Sequence, residues 1–265
     1  MKKLVLALTA AAAFTGSAVA ADLPARAYTK APPPPAPVAN WTGCYIAGGG
    51  GYGWYNAETR EVDPVTGAVR FNQGDTGGRG WLGQGQAGCD YQFAGPLGNW
   101  VVGAFGDYTF SNVHGDHVGP NFTQTVGNLK EDWSWAAGGR IGYLVNPTFL
   151  TYFSGGYTET HFNQTNYTSF VSTTALGVPG TALPGSTYKG WFLGSGFEYN
   201  LSFLPGLYLK TEYRYSEFDR KQLNNFSTVT GLPTGTAETV KPFTQSVITS
   251  LVYRFNWTGP VVAKY

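Results

Sequence analysis

Two histidines and an aspartate lie close together in one polar stretch of the chain. His114, Asp116 and His117 carry the imidazole and carboxylate groups that suit a zinc or copper ion. No further imidazole or thiolate is near them in sequence, and the third histidine, His161, stands alone. We therefore interpret the stretch as an exposed polar loop, and we predict no metal site and no cofactor.

Motifs for nucleophilic or phosphate chemistry are missing from the sequence. There is no G-x-S-x-G motif, and the glycine run GGGGYG at 48–53 lacks the lysine of a phosphate-binding loop. The net charge of +1 gives no reason to expect a nucleic-acid partner or an acidic substrate. The sequence predicts a protein that is not an enzyme.

Charged side chains instead recur within apolar, aromatic-rich segments. In residues 242–255, one face carries Val247, Leu251 and Tyr253 and ends in an aromatic residue, whereas the other face ends in the charge of Arg254. Such alternation is typical of a β-strand, because successive side chains point to opposite faces. Across all such segments the non-aromatic face carries four acidic and four basic residues, namely Asp90, Asp107, Arg140, Glu198, Lys210, Glu212, Arg214 and Arg254.

The same alternation predicts eight strands. They cover residues 41–57, 79–93, 100–111, 132–145, 149–162, 188–200, 207–220 and 242–255. Short turns at 94–99, 146–148 and 201–206 alternate with long polar stretches at 58–78, 112–131, 163–187 and 221–241. Short turns at one end and long loops at the other are the layout of an antiparallel up-and-down transmembrane β-barrel. We expect the four long loops to be extracellular and the short turns periplasmic.

The N-terminal region supports export. Residues 1–20 combine Lys2 and Lys3, a short apolar run and an A-x-A cleavage site, as in a secretory signal peptide. Residues 21–39 form a proline-rich linker, 40–256 the barrel, and 257–265 a C-terminal extension. No other segment reaches the roughly 20 apolar residues of a membrane helix, so a membrane-embedded chain would have to be a closed barrel.

Aromatic residues cluster near the predicted strand ends and suggest two interfacial girdles. The set comprises Trp41, Trp81, Tyr91, Phe93, Trp100, Tyr143, Trp191, Tyr199, Tyr253 and Phe255. Only 12% of the residues are charged, about half of the usual share. A soluble barrel that binds an apolar ligand would show the same alternation with its aromatic face turned inward, and it stays open as an alternative.

An eight-stranded barrel has an interior just wide enough for side chains to fill. The eight charges on the inner face must then find partners, because an unpaired buried charge is costly. We predict an internal salt-bridge network that plugs the lumen, in which Glu198 pairs with Lys210 or Arg214 on the neighbouring strand. The alternative is a hydrated channel, which would make the protein a narrow diffusion pore for small solutes.

The two cysteines are predicted to form a disulfide. Cys44 lies near the start of the first strand and Cys89 near the end of the second. Antiparallel pairing sets these positions nearly opposite each other, both pointing outward, and an exported chain normally pairs its cysteines.

Several stretches resemble the porin-like outer-membrane immunogenic protein family of Gram-negative bacteria. They are NWTGCYIAGGGGYGW at 40–54, GWLGQGQAGCDYQF at 80–93, NWVVGAFGDYTFS at 99–111 and the closing SLVYRF at 250–255. The resemblance implies an eight-stranded Opa-type, OmpA-like barrel in the outer membrane, with structural or host-contact roles. It further implies contact with outer-membrane lipid and with the barrel-assembly machinery, which would read a terminal aromatic residue, either Phe255 or Tyr265.

The sequence and the resemblance together predict a non-enzymatic structural and surface-interaction barrel. The long loops should tolerate insertions, for example near Gly119 or Gly231, and should carry contacts to host or surface ligands. This expectation assumes that their backbone is not paired with the barrel strands.

Overall fold

The computed structural model describes residues 40–119, 125–169 and 179–255. The predicted signal peptide, the linker to residue 39, the C-terminal extension and Tyr265 lie outside these ranges. Within them, no helix is long and apolar enough to cross a membrane.

The described chain is built from β-strands. In chain order they are β1 (Gly43–Val62), β2 (Val69–Gly95), β3 (Gly98–Ser111), β4 (His114–Val118), β5 (Thr125–Asn146), β6 (Phe149–Phe162), β7 (Thr165–Ser169), β8 (Pro179–Leu183), β9 (Ser186–Asn200), β10 (Leu207–Phe218), β11 (Lys221–Ser227) and β12 (Pro233–Phe255). Eight of them form an antiparallel ring in the order β1-β2-β3-β5-β6-β9-β10-β12, which closes because β12 also pairs with β1. The predicted eight-stranded up-and-down barrel is confirmed.

The closing seam depends on glycine. The pairing of β1 with β12 runs from Cys44 opposite Phe255 to Val62 opposite Ala237. A methyl group added to Gly49 would lie 2.2 Å from the carbonyl oxygen of Thr249, so only glycine allows the strands to approach this closely. Gly49 and Gly51 of the glycine run at 48–53 therefore allow β1 and β12 to close the barrel.

Side chains alternate between the lumen and the outer wall. In β10, Tyr208, Lys210 and Glu212 are buried, whereas Leu209 and Tyr213 lie on the outside. The outer wall carries an apolar band with aromatic residues near both ends, of which Trp81 is 71% and Tyr253 42% exposed. Exposed apolar side chains in a closed ring are typical of a wall that faces lipid.

One residue assigned to the girdles lies elsewhere. Trp41 is fully buried and sits at the lumen mouth of the short-turn end, where its indole N–H donates to the carbonyl oxygen of Pro147 over 3.1 Å. The prediction for Trp41 was wrong because this residue precedes β1, so the alternation of that strand does not fix its direction.

The long connections differ from the prediction of unpaired loops. β1 continues to Val62, β2 begins at Val69 and β12 begins at Pro233, so barrel strands extend through much of the predicted loop sequence. The short strands β4, β7, β8 and β11 pair between these extensions. We call this part the extension. It comprises the short strands β4, β7, β8 and β11 and the continuations of β1, β2, β5 and β12 beyond the apolar band. The sequence did not predict these short strands, because their residues are mostly polar and show no apolar alternation.

Candidate functional site

The candidate site is the lumen, because every charged residue predicted for the inner face lies there. Asp90, Asp107, Arg140, Glu198, Lys210, Glu212 and Arg254 are buried. Only 11% of the side chain of Arg214 is exposed. The alternation of each strand places these side chains inside, and the small bore of the barrel brings them together.

Two arginines and two carboxylates form a closed ring near the short-turn end. Arg140 donates to both carboxylate oxygens of Asp90 and, over 3.0 Å, to Glu198. Arg254 donates to Glu198 over 2.7 Å and to Asp90 over 2.6 Å. We call these four residues the lower ring. Each carboxylate contacts both arginines, so the charges balance inside a site that is sealed from water.

Aromatic side chains surround the lower ring. The guanidinium of Arg254 lies 5.0 Å from the rings of Trp41 and Tyr208 and 5.1 Å from that of Tyr45. Arg254 also donates to the carbonyl oxygen of Trp41 over 3.1 Å. The rings fill the space between the charges and add cation–π attraction, so the short-turn mouth is closed by packed side chains.

A second group of charges lies farther along the lumen. Arg214 donates to both oxygens of Asp107, over 3.1 and 2.8 Å, and to Glu212 over 2.8 Å. Glu212 also accepts a hydrogen bond from the hydroxyl of Tyr152 over 2.8 Å. The guanidinium stacks 4.4 Å from the ring of Phe192. This arrangement again pairs each charge with an opposite one.

The expected partners of Glu198 were wrong. Lys210 lies directly opposite Glu198 in the strand pairing, but its ammonium group contacts the side-chain oxygen of Gln86. Arg214 binds Asp107 and Glu212 instead. Glu198 pairs with Arg140 and Arg254, because the long arginine side chains reach across the narrow lumen.

A buried, mainly apolar cluster continues from the barrel into the extension. Its buried members are Tyr55, Ala57, Val113, Leu129, Phe162, Tyr167, Leu183, Tyr188, Phe218, Leu223 and Val240. Tyr167, Leu183 and Leu223 lie on the short strands β7, β8 and β11, so the cluster packs these strands onto the barrel.

A buried polar cluster within the extension was not predicted. Glu238 accepts hydrogen bonds from Tyr167 and Asn225, and it lies 3.0 Å from Nε2 of His117. The other ring nitrogen of His117 is 2.9 Å from the hydroxyl of Thr76. Burial and the nearby Glu238 carboxylate raise the pKa of Tyr167 well above its usual value, so its hydroxyl stays protonated and donates. The inward-pointing residues of β12 have even numbers. Extending this alternation beyond the apolar segment predicts that Glu238 also points inward.

The histidines do not form the metal site that their spacing could suggest. His117 is fully buried, whereas His114 and Asp116 are exposed on the other face of β4. His161 stacks on Trp133, with ring centroids 5.3 Å apart, and its Nδ1 lies 3.0 Å from the hydroxyl of Thr187. Across the described ranges, no group of three or more histidine, cysteine, aspartate or glutamate residues could hold a metal ion.

Cys44 and Cys89 form a disulfide, as predicted. The two residues are direct partners in the pairing of β1 with β2, and Cys89 faces outward. The bond therefore joins the first two barrel strands near the short-turn end.

Comparison with known proteins places this architecture among outer-membrane barrels. Residues 12–214 match the autotransporter β-domain family. The chain is 29% identical over 235 residues to the 31 kDa outer-membrane immunogenic protein of Brucella melitensis, covering 84% of this chain and 90% of that protein. The protein of the same name from Brucella suis matches equally well.

Solved structures of low sequence identity are also similar. The outer membrane protein OprG from Pseudomonas aeruginosa is 13% identical with a TM-score of 0.44, and the match covers 82% of this chain and 99% of that one. Neisserial surface protein A is 13% identical with a TM-score of 0.38, covering 81% of this chain and 98% of that one.

Proposed function

The chain belongs to the autotransporter β-domain family and lies in the outer membrane of a Gram-negative bacterium, and we propose that it is a structural, surface-displaying barrel whose lumen conducts no solute. The observation that carries this proposal is the lower ring. Its four charged side chains bind one another across the lumen and are sealed from water.

The balance of charges supports a plug rather than a pore. A pore that selects ions would offer solvated charges, whereas each carboxylate of the lower ring binds two arginines. Removing a single member leaves one buried charge in excess, and breaking a buried ion pair in this way typically costs about 3–5 kcal/mol. The network therefore stabilises the closed lumen and fixes the register of the strands that carry it.

The same proposal holds that the protein is not an enzyme. Thr76, His117 and Glu238 are linked in a hydroxyl–imidazole–carboxylate chain, which superficially resembles a catalytic triad. Thr76 is 6% exposed, and His117 and Glu238 are fully buried. A substrate could not reach the hydroxyl, and Glu238 already accepts hydrogen bonds from Tyr167 and Asn225. We assign these contacts a structural role, because they join β2, β4 and β12 within the extension.

The extension is the part offered to the outside. It rises beyond the aromatic residues of the outer wall and ends in exposed hairpins at 62–69 and 227–233. We propose that these hairpins carry contacts to host or surface ligands. At the other end of β12, Phe255 is 44% exposed on the outer wall, which suits a residue read by the assembly machinery.

An epitope tag inserted after Gly231 should be detected by antibody on intact cells. Gly231 lies at an exposed hairpin tip, has a φ of 72° and has open space around it. Gly119, the other site suggested by the sequence, is unsuitable because it is buried and packs against Tyr167. A tag after Leu204, in an exposed short turn, is the matched control and should be detected only after permeabilisation. The reverse pattern would invert the proposed orientation.

A further inference from the structure

The strand pairing of the extension has one weak junction. A circuit of paired strands runs β1-β2-β4-β5-β7-β8-β11-β12 and returns to β1. β2 and β4 are joined by a single residue pair, Arg79 with His114, and β4 runs beside β2 as far as the contact of His117 with Thr76. Beyond this contact, residues 69–75 of β2 follow β1 on one side, and no described strand pairs with their other edge.

This strand edge is exposed and partly apolar. Val69 is 58% and Phe71 55% exposed, in the part of β2 that lies beyond Trp81 of the apolar band. The hairpin between β11 and β12 adds Val229 and Leu232, which are 80% and 66% exposed. Arg70 links the two hairpins by donating to the carbonyl oxygen of Gly235 over 3.3 Å. Exposed apolar side chains beside an unpaired strand edge mark a surface suited to an interaction.

The seam between β2 and β4 is closed toward the lumen. The hydroxyl of Thr76 lies 2.9 Å from Nδ1 of His117, which binds Glu238 in turn. A partner therefore cannot pass between the two strands into the interior. The surface that remains is a linear edge whose backbone groups can pair with another extended chain.

We propose that the edge of β2 at residues 69–75 binds an extended segment of a partner protein, which adds to the sheet as an antiparallel strand. Backbone hydrogen bonds would supply affinity, and contacts with Val69 and Phe71 would select a segment with apolar residues at alternate positions. The proposal deepens the surface-display function and rests on it.

A second copy of this chain is the less suitable partner. Two barrels in the same membrane stand in the same orientation, so their β2 strands would meet in parallel. Parallel pairing is less stable per residue than antiparallel pairing. A segment that is not fixed in the bilayer can approach in the antiparallel direction.

The test uses the full-length protein in lipid vesicles and a fluorescent synthetic peptide, KTVTVTVTK. Fluorescence anisotropy should show saturable binding, and hydrogen exchange should slow at residues 69–75 when the peptide is added. The matched control peptide carries N-methyl groups at alternate residues, which removes backbone donors but keeps the side chains. It should bind at least tenfold more weakly. Equal binding of both peptides, or protection elsewhere in the extension, would overturn the proposal.

Substitution of the edge provides an independent readout. F71K should weaken peptide binding about tenfold, because a lysine on a strand edge disfavours pairing. F203K, on an exposed turn at the opposite end, is the matched control and should bind as the unmodified protein does. Unchanged binding by F71K would contradict the proposal. If the Gly231 tag is found on intact cells and the peptide does not bind, the inference fails while the proposed display function stands.

Discussion

Replacing Arg254 with methionine should lower the free energy of unfolding of the barrel by about 3–5 kcal/mol, the usual cost of breaking a buried charge network. Methionine keeps much of the side-chain volume but removes the contacts to Glu198, Asp90 and the carbonyl oxygen of Trp41. Both carboxylates would then depend on Arg140 alone. Denaturant unfolding in lipid vesicles, followed by tryptophan fluorescence, measures the change.

The matched control for this substitution is K241M on the outer rim. Lys241 binds Glu217 over 2.6 Å, but each side chain is 28% exposed. Exposed ion pairs are worth about 0–1 kcal/mol, so this loss should be small. The double variant D90N/R254M should recover part of the stability lost in R254M, because it removes the one negative charge left in excess and leaves Glu198 paired with Arg140. Equal losses for R254M and K241M would contradict the importance of the lower ring.

Replacing Glu238 with leucine should loosen the extension and leave the barrel intact. Tyr167 and Asn225 would lose their acceptor, and His117 would lose its contact with the carboxylate. An unsatisfied buried polar group costs about 1–3 kcal/mol, so we expect a local loss of several kcal/mol. Hydrogen exchange should accelerate in β4, β7 and β11, while the barrel strands around the lower ring keep their protection.

The variant E238Q serves as the control for this prediction. Glutamine keeps one acceptor oxygen and nearly the same shape, so E238Q should show a smaller acceleration of exchange than E238L. Faster exchange throughout β3 and β10 in E238L would show that the extension and the barrel unfold together. If exchange is unchanged in both variants, the proposed structural role of Glu238 is contradicted.

The barrel could be predicted from sequence because its wall faces two different environments. Leu209 and Tyr213 meet the outside while Lys210 and Glu212 meet the lumen, and this contrast repeats with a period of two. The same period placed Cys44 and Cys89 on the outer face, and antiparallel pairing of the first two strands set them opposite each other. The lumen-facing positions follow from the alternation alone, whereas the disulfide also needed the strand ends to be placed.

The partners across the lumen could not be predicted in the same way. Alternation states which side chains point inward, but the stagger of the strands decides which of them meet at one height. The alternation therefore suggests Lys210 or Arg214 on the neighbouring strand as the partner of Glu198, although Arg140 and Arg254 reach it from other strands. The extension was missed for a different reason. The short strands β4, β7, β8 and β11 are mostly polar and lack the apolar alternation that marks the barrel strands.

The most direct test of the filled lumen is the conductance of the purified protein in planar lipid bilayers. The unmodified protein should give no steady current, because the lower ring and the aromatic residues around it occupy the lumen. R214A should give small, unstable currents, since it removes the cation that binds both Asp107 and Glu212. A stable, ion-selective conductance from the unmodified protein would contradict the account and identify the barrel as a diffusion pore.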